Sequence, residues 1–105
     1  MRAAVVIYGH QAAQLQELEF DEGRVEVVAG HAGSAYGVVH EATLDAIKLA
    51  AMQEALILDP VYSGKGVAGL MALIREGRWS GEDNVVFIHT GGTPALFAYG
   101  SILDL

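Results

Sequence analysis

Residues 85–99, VVFIHTGGTPALFAY, constrain the fold more than any other stretch of the chain. Four consecutive apolar residues, three of them β-branched, suit a short strand buried on both faces of a parallel sheet. They run into Gly91-Gly92, which permit a tight turn and a close approach to the backbone. Thr93 suits a helix N-cap and Pro94 the first helical position, where no amide hydrogen is missed. The mouth of such a strand–turn–helix unit presents free amides and the positive end of a helix. In open α/β sheets, ligands collect at that end of the strands. A plain connecting turn would account for the same glycines, so this stretch alone leaves both readings open.

The rest of the chain repeats the alternation of helix and short apolar strand. Residues 2–18 read as a helix, 20–23 as a turn, and 24–29, with Arg-Val-Glu-Val-Val, as a strand. Residues 30–37, GHAGSAYG, form a glycine-rich loop. Residues 41–55 read as a helix with Leu44, Ile47 and Ala51 on one stripe. Leu56-Ile57-Leu58 is a very short apolar segment, stopped by Asp59-Pro60. Ser63 then suits an N-cap, and Val67, Leu70, Met71 and Ile74 mark a helix that ends at Gly77. Residues 78–84 form a polar loop. The pattern predicts a single α/β unit over residues 1–105, built on a parallel sheet.

Composition adds a constraint on what surrounds that unit. Of the 105 residues, 52% are hydrophobic and only 18% charged, against about 25% charged in a typical domain. A domain this small buries a low fraction of its surface. The apolar surplus is therefore expected to face another chain, as in a homo-oligomer, or a complementing N-terminal portion of the same fold. The balance of 13 acidic to 6 basic residues, a formal charge of −7, argues against nucleic acid and anionic membranes as partners. The absence of cysteine excludes disulfides and thiolate metal sites. No apolar run approaches the ~20 residues of a membrane span, and the expected location is the cytoplasm.

Several chemical readings fail on spacing. Gly64-Lys65-Gly66 suggests a phosphate loop, but that motif needs glycine where Asp59 stands and Ser or Thr where Gly66 stands. A helix-opening turn with a solvated lysine is the expectation instead. His10, His31, His40 and His89 lack metal-site spacing, so no metal is expected. Ser63 and Ser101 lack the Gly-x-Ser-x-Gly elbow of hydrolases. Tyr62, in Asp59-Pro60-Val61-Tyr62, follows an apolar segment and precedes a helix, which places it at the same sheet edge as Thr90. On residues alone, Tyr62 is equally a tyrosine with a buried ring and a satisfied hydroxyl, and Tyr36 an ordinary exposed aromatic.

EATLDAIKLAA, LDPVYSGKGVAGLMALIREG and VVFIHTGGTPALFAY, taken together and in order, resemble the C-terminal portion of the D-cysteine desulfhydrase and 1-aminocyclopropane-1-carboxylate deaminase family. These are fold type II pyridoxal-phosphate enzymes. The resemblance runs from roughly residue 30 to residue 97, and DPVYSGK and HTGGTPALFAY are its most specific parts. It implies a three-layer α/β fold like that of the tryptophan synthase β chain, with residues 1–105 forming the C-terminal part of the large cofactor-binding domain. It implies that Thr90 hydrogen-bonds the pyridine nitrogen of pyridoxal phosphate, that Gly91 and Gly92 give the ring room, and that Ser63 joins them as a cofactor contact. It also implies that Tyr62 and Tyr36 face a small amino-acid substrate, with Tyr62 moving a proton or acting as a nucleophile through a lowered pKa.

Two departures from the family pattern stand out. In the family the loop reads closer to Gly-Tyr-Gly-x-Pro-x-Glu, whereas Val39 occupies the proline position here. Ser63 stands where the deaminases resemble one another in carrying Glu and the desulfhydrases in carrying Thr, which leans towards the desulfhydrases. These enzymes also hold the cofactor through a Schiff-base lysine and a glycine- and threonine-rich phosphate loop. Lys48 and Lys65, the two lysines of the chain, match neither motif. The expectation is therefore a segment of an enzyme that eliminates or deaminates, giving a 2-oxo acid and ammonia, and that does not retain the cofactor on its own. The alternative is a catalytically inactive fragment or subunit that binds a partner chain through an apolar surface.

Overall fold

A computed structural model describes residues 26–104. The helix expected over residues 2–18 and the turn at 20–23 lie outside the described residues, as does the start of the strand expected over 24–29. Two helices dominate: α1, Glu41–Glu54, and α2, Ser63–Arg75. A 3₁₀ segment, Thr93–Tyr99, leads directly into a short α3, Gly100–Leu103.

The sequence explains where the two long helices begin and end. Glu41 places a carboxylate in the first turn of α1, where it favours the positive helix end. α1 closes on Ala55 in the left-handed region, at φ 54, a conformation more often given to glycine. α2 ends in a Schellman motif: the Gly77 amide donates to the Ile74 carbonyl and the Arg78 amide to Leu73, both at 3.0 Å. Gly77 holds φ 77, the left-handed angle that this motif requires. Ser63 is the first residue of α2 rather than its N-cap, and Thr93 likewise lies inside its 3₁₀ segment, after Gly92.

The helices meet over a small core. Ala46, Ile47 and Ala50 of α1 pack on Val67 and Ala68 of α2, with Leu58 and Leu103 closing the cluster and Leu96 and Tyr99 against its edge. Gly64 sets the closest approach, since a β-carbon there would lie 2.8 Å from Ile47 Cγ1. Leu58 is 1% exposed, a burial that contributes roughly 1.5–3 kcal/mol.

No strand forms among the described residues. The segments expected as strands, 56–58 and 85–88, carry no ladder, because a strand is held by neighbours and none is present among these residues. Leu58 turns into the core, but Leu56, Ile57, Val86 and Ile88 are all exposed, Val86 to 81%. Between α1, this 56–58 segment, Leu96 and Leu103 lies an apolar groove of about 140 Å³.

Candidate functional site

The corner before α2 is organised by Asp59, which has no exposed surface. Its Oδ2 accepts the amides of Val61 and Tyr62 at 2.8 and 2.7 Å. Its Oδ1 accepts the Ser63 amide at 2.9 Å and the Ser63 hydroxyl at 2.7 Å. The Asp59 amide donates to Ser63 Oγ at 2.9 Å, and the Asp59 carbonyl accepts the Gly64 amide at 2.7 Å. One carboxylate thus gathers the helix-opening amides that otherwise lack partners and places negative charge at the positive end of α2. In the sequence Asp59 marks the stop of an apolar segment, with no direct sign of the donors it gathers. An Asp-Pro step immediately before a helix is the signal that could have identified it.

That corner holds Tyr62 half-exposed, with its ring free to meet a second phenol. The Tyr36 and Tyr62 hydroxyl oxygens are 2.6 Å apart, and their rings meet edge to face with centroids 6.2 Å apart. The hydrogen bond to Tyr36, then desolvation and the nearby Tyr36 and Asp59 oxygens, hold the Tyr62 phenol above its ordinary pKa. This reverses the sequence expectation of a lowered value. A hydroxyl and a carboxylate close by disfavour the phenolate.

The turn at 89–92 reaches the same corner through Gly92. That residue has φ 100, and a β-carbon on it would collide with Asp59 Oδ1 and lie 3.2 Å from Tyr62 Cδ2. Gly92 is therefore glycine for close packing against Asp59 and Tyr62. Gly91, at φ 133, has open space where a β-carbon would point. Thr90 is exposed, and its hydroxyl has no hydrogen-bond partner among the described residues. The structure thus brings together Tyr36, Tyr62, Ser63 and Gly92, with Thr90 and Gly91 on the open side of the same turn. The Ser63 hydroxyl gives its proton to Asp59.

Lys65 is the other correction. Instead of being solvated it is 3% exposed, and its Nζ donates to the Ala32 carbonyl at the base of the Tyr36 loop. Lys48 lies exposed on α1, beside the apolar groove. Among the described residues no group of His, Asp or Glu is arranged to hold a metal, and no helix is long and apolar enough to cross a membrane.

Residues 5–91 match the family model described as pyridoxal-phosphate dependent enzyme. The chain belongs to the pyridoxal-phosphate-dependent enzyme family. Among curated members it is similar to a 1-aminocyclopropane-1-carboxylate deaminase of Ralstonia pickettii (strain 12J), 38% identical over 103 residues, which are 96% of this chain and 30% of the relative. It is also similar to D-cysteine desulfhydrases of Salmonella newport (strain SL254) and Salmonella heidelberg (strain SL476). Each is 52% identical over 64 residues, 61% of this chain and 20% of the relative. The chain therefore spans less than a third of the length of these relatives.

Proposed function

We propose that these residues form the part of a pyridoxal-phosphate-dependent D-cysteine desulfhydrase, or a related amino-acid deaminase, that faces the substrate and the ring edge of the cofactor. On this reading they are the C-terminal part of the large domain, and segments 56–58 and 85–88 join a parallel sheet whose other strands lie elsewhere in the enzyme. The observation that carries the reading is the phenol pair, Tyr36 on Tyr62, packed beside the glycine turn that follows Thr90.

The residues suit one edge of the cofactor. Thr90 offers a neutral hydroxyl without a partner among the described residues, and Gly91 leaves open space for a flat ring. They do not supply an anchor, since Lys65 is buried on the Ala32 carbonyl and Lys48 lies on another face. Bound pyridoxal phosphate supplies an electron sink for charge on the substrate α-carbon. The chain's own groups do the rest. A phenol is protonated at neutral pH, and the hydrogen bond to Tyr36 holds Tyr62 still further from ionisation, so the phenol pair serves as a proton donor to a departing sulfide or nitrogen and not as a nucleophile. Thr90, being neutral, holds the ring nitrogen without keeping it protonated as a carboxylate would.

A second reading is favoured by the exposed apolar residues of segments 56–57 and 85–88. In it, the chain complements a separate polypeptide that carries the lysine and the phosphate loop. One experiment covers both. The chain alone, mixed with pyridoxal phosphate, should retain none covalently; a stoichiometric adduct lost in Lys65→Ala overturns the incomplete-anchor reading. With the complementing portion supplied, in cis or in trans, Thr90→Ala should weaken cofactor retention by one neutral hydrogen bond, about 0.5–1.5 kcal/mol. Thr90→Asp should alter the absorbance of the bound cofactor. A Thr90→Ala protein that unfolds early yet retains and uses the cofactor normally refutes the role.

A further inference from the structure

The loop that carries Tyr36 is held at two points, and neither hold belongs to the tyrosine itself. At its base, the Lys65 ammonium donates to the Ala32 carbonyl. At its end, the Tyr99 hydroxyl donates to the Gly37 carbonyl at 3.1 Å. Between these points Tyr36 is 81% exposed and touches the site through its bond to Tyr62. A side chain so exposed has little packing to fix it, and a surface hydroxyl pair must compete with water for its bond. Something must hold the loop in register with α2.

We infer that Lys65 and Tyr99 are positioning residues that clamp the Tyr36 loop, Lys65 from the first turn of α2 and Tyr99 from the end of the 3₁₀ segment, so that the Tyr36 hydroxyl meets that of Tyr62. The geometry of Lys65 fits this task. It lies one turn along α2 from Tyr62, so the helix that presents Tyr62 also grips the loop that presents Tyr36. Its stem is buried, and an ammonium buried to this degree is stable only when its donors are satisfied. Tyr99 packs its ring on the core edge and keeps its hydroxyl for the loop. In this way the phenol pair is tied to the core through two side chains that grip the backbone of the loop. The use of that placement in catalysis rests on the reading of the pair as a substrate-side proton donor; the clamp itself does not.

The test reads the pair directly in the full 105-residue chain, without cofactor. Tyrosine labelled with ¹³C at Cζ gives one resonance per phenol, assigned through single Tyr→Phe variants. Among the described residues, the groups that act on the Tyr62 hydroxyl are Tyr36 from the loop and, electrostatically, Asp59 from the preceding corner. Tyr36→Phe should lower the Tyr62 titration midpoint towards the ordinary phenol value. Lys65→Met, which keeps the stem and removes the donor, should lower it in the same direction and weaken the ring-to-ring NOE between Tyr36 and Tyr62. Adding Lys65→Met to Tyr36→Phe should then produce no further shift. Tyr99→Phe removes a single hydroxyl at a half-buried position and should reproduce the effect; if Lys65→Met fails to fold, it decides alone. A Tyr62 midpoint and an NOE unchanged in a folded Lys65→Met or Tyr99→Phe protein overturn the clamp. Failure of the Thr90 test leaves this result standing, so the two readings fail separately.

Discussion

Substitution of Asp59 separates its charge from its shape. All four groups that point at its carboxylate are donors: the amides of Val61, Tyr62 and Ser63 and the Ser63 hydroxyl. Asparagine fits the same space but replaces one acceptor oxygen with a donor. In the better of its two orientations the amide oxygen takes Val61 and Tyr62, and the nitrogen faces Ser63. The Ser63 hydroxyl can turn to accept from it, but the Ser63 amide is left facing a donor. One stranded buried amide costs about 1–3 kcal/mol, and the lost charge at the helix start about 0.3–1 kcal/mol more. Asp59→Asn is therefore expected to cost roughly 1.5–4 kcal/mol.

Asp59→Ala strands the buried amides of Val61 and Ser63, the partly buried amide of Tyr62 and the Ser63 hydroxyl together. The expected cost is about 3–6 kcal/mol, in the range that marks the loss of a buried network. Against a total stability of ~5–15 kcal/mol, the alanine variant should lose most or all of its cooperative transition. Urea unfolding followed by far-UV circular dichroism measures both variants against the parent. Equal costs for Asn and Ala, or a loss under about 0.5 kcal/mol for Ala, would refute the view that acceptor lone pairs hold this corner.

Three further outcomes follow from the geometry. Gly91→Ala should cost only the backbone strain of its positive φ, about 1–3 kcal/mol, whereas Gly92→Ala adds a collision with Asp59 and Tyr62 and should lower the unfolding midpoint clearly further; equal midpoints would show that the close packing is unimportant. Because the folded pKa of Tyr62 is raised above that of an ordinary phenol, the stability it contributes is complete below pH ~10 and is lost as pH rises through the folded value. The alkaline fall in stability should therefore be steeper in the parent than in Tyr36→Phe, and identical profiles in thermal melts would contradict the phenol pair. The exposed apolar residues of 56–57 and 85–88 predict self-association and binding of a hydrophobic dye, both reduced by Val86→Lys with Ile88→Lys; a monodisperse parent monomer in sedimentation, without dye binding, would count against this.

The helices were legible because their signals are local. The stripe through Leu44 and Ile47 and the stop at Gly77 gave α1 and α2 to within a few residues of their observed spans. The strands were not, since 85–88 has the composition of a buried strand but depends on neighbours that its own residues cannot supply. Asp59 and Lys65 were misjudged for a related reason. Whether an aspartate merely stops a segment or gathers four donors depends on how the next residues turn, and Lys65 finds its carbonyl at Ala32, 33 residues away. Tyr62 stood out by its place between an apolar segment and a helix, but its pairing with Tyr36, 26 residues away, could be expected only through resemblance to a family. The direction of the Tyr62 pKa could be read only once its neighbours were in place.

The packing of Gly92 on Asp59 also bears on how this corner could be reused. Position 92 has no room for a β-carbon because the Asp59 carboxylate fills that space, and the carboxylate is there because the start of α2 demands it. Residues 59, 63 and 92 are therefore constrained as one unit, although a window scanned along the chain sees only the first two together. A designer who grafts Asp-Pro-Val-Tyr-Ser onto another scaffold to borrow its tyrosine must bring along a distant glycine. Without it, the graft would carry the helix start but not the surface against which the phenol rests.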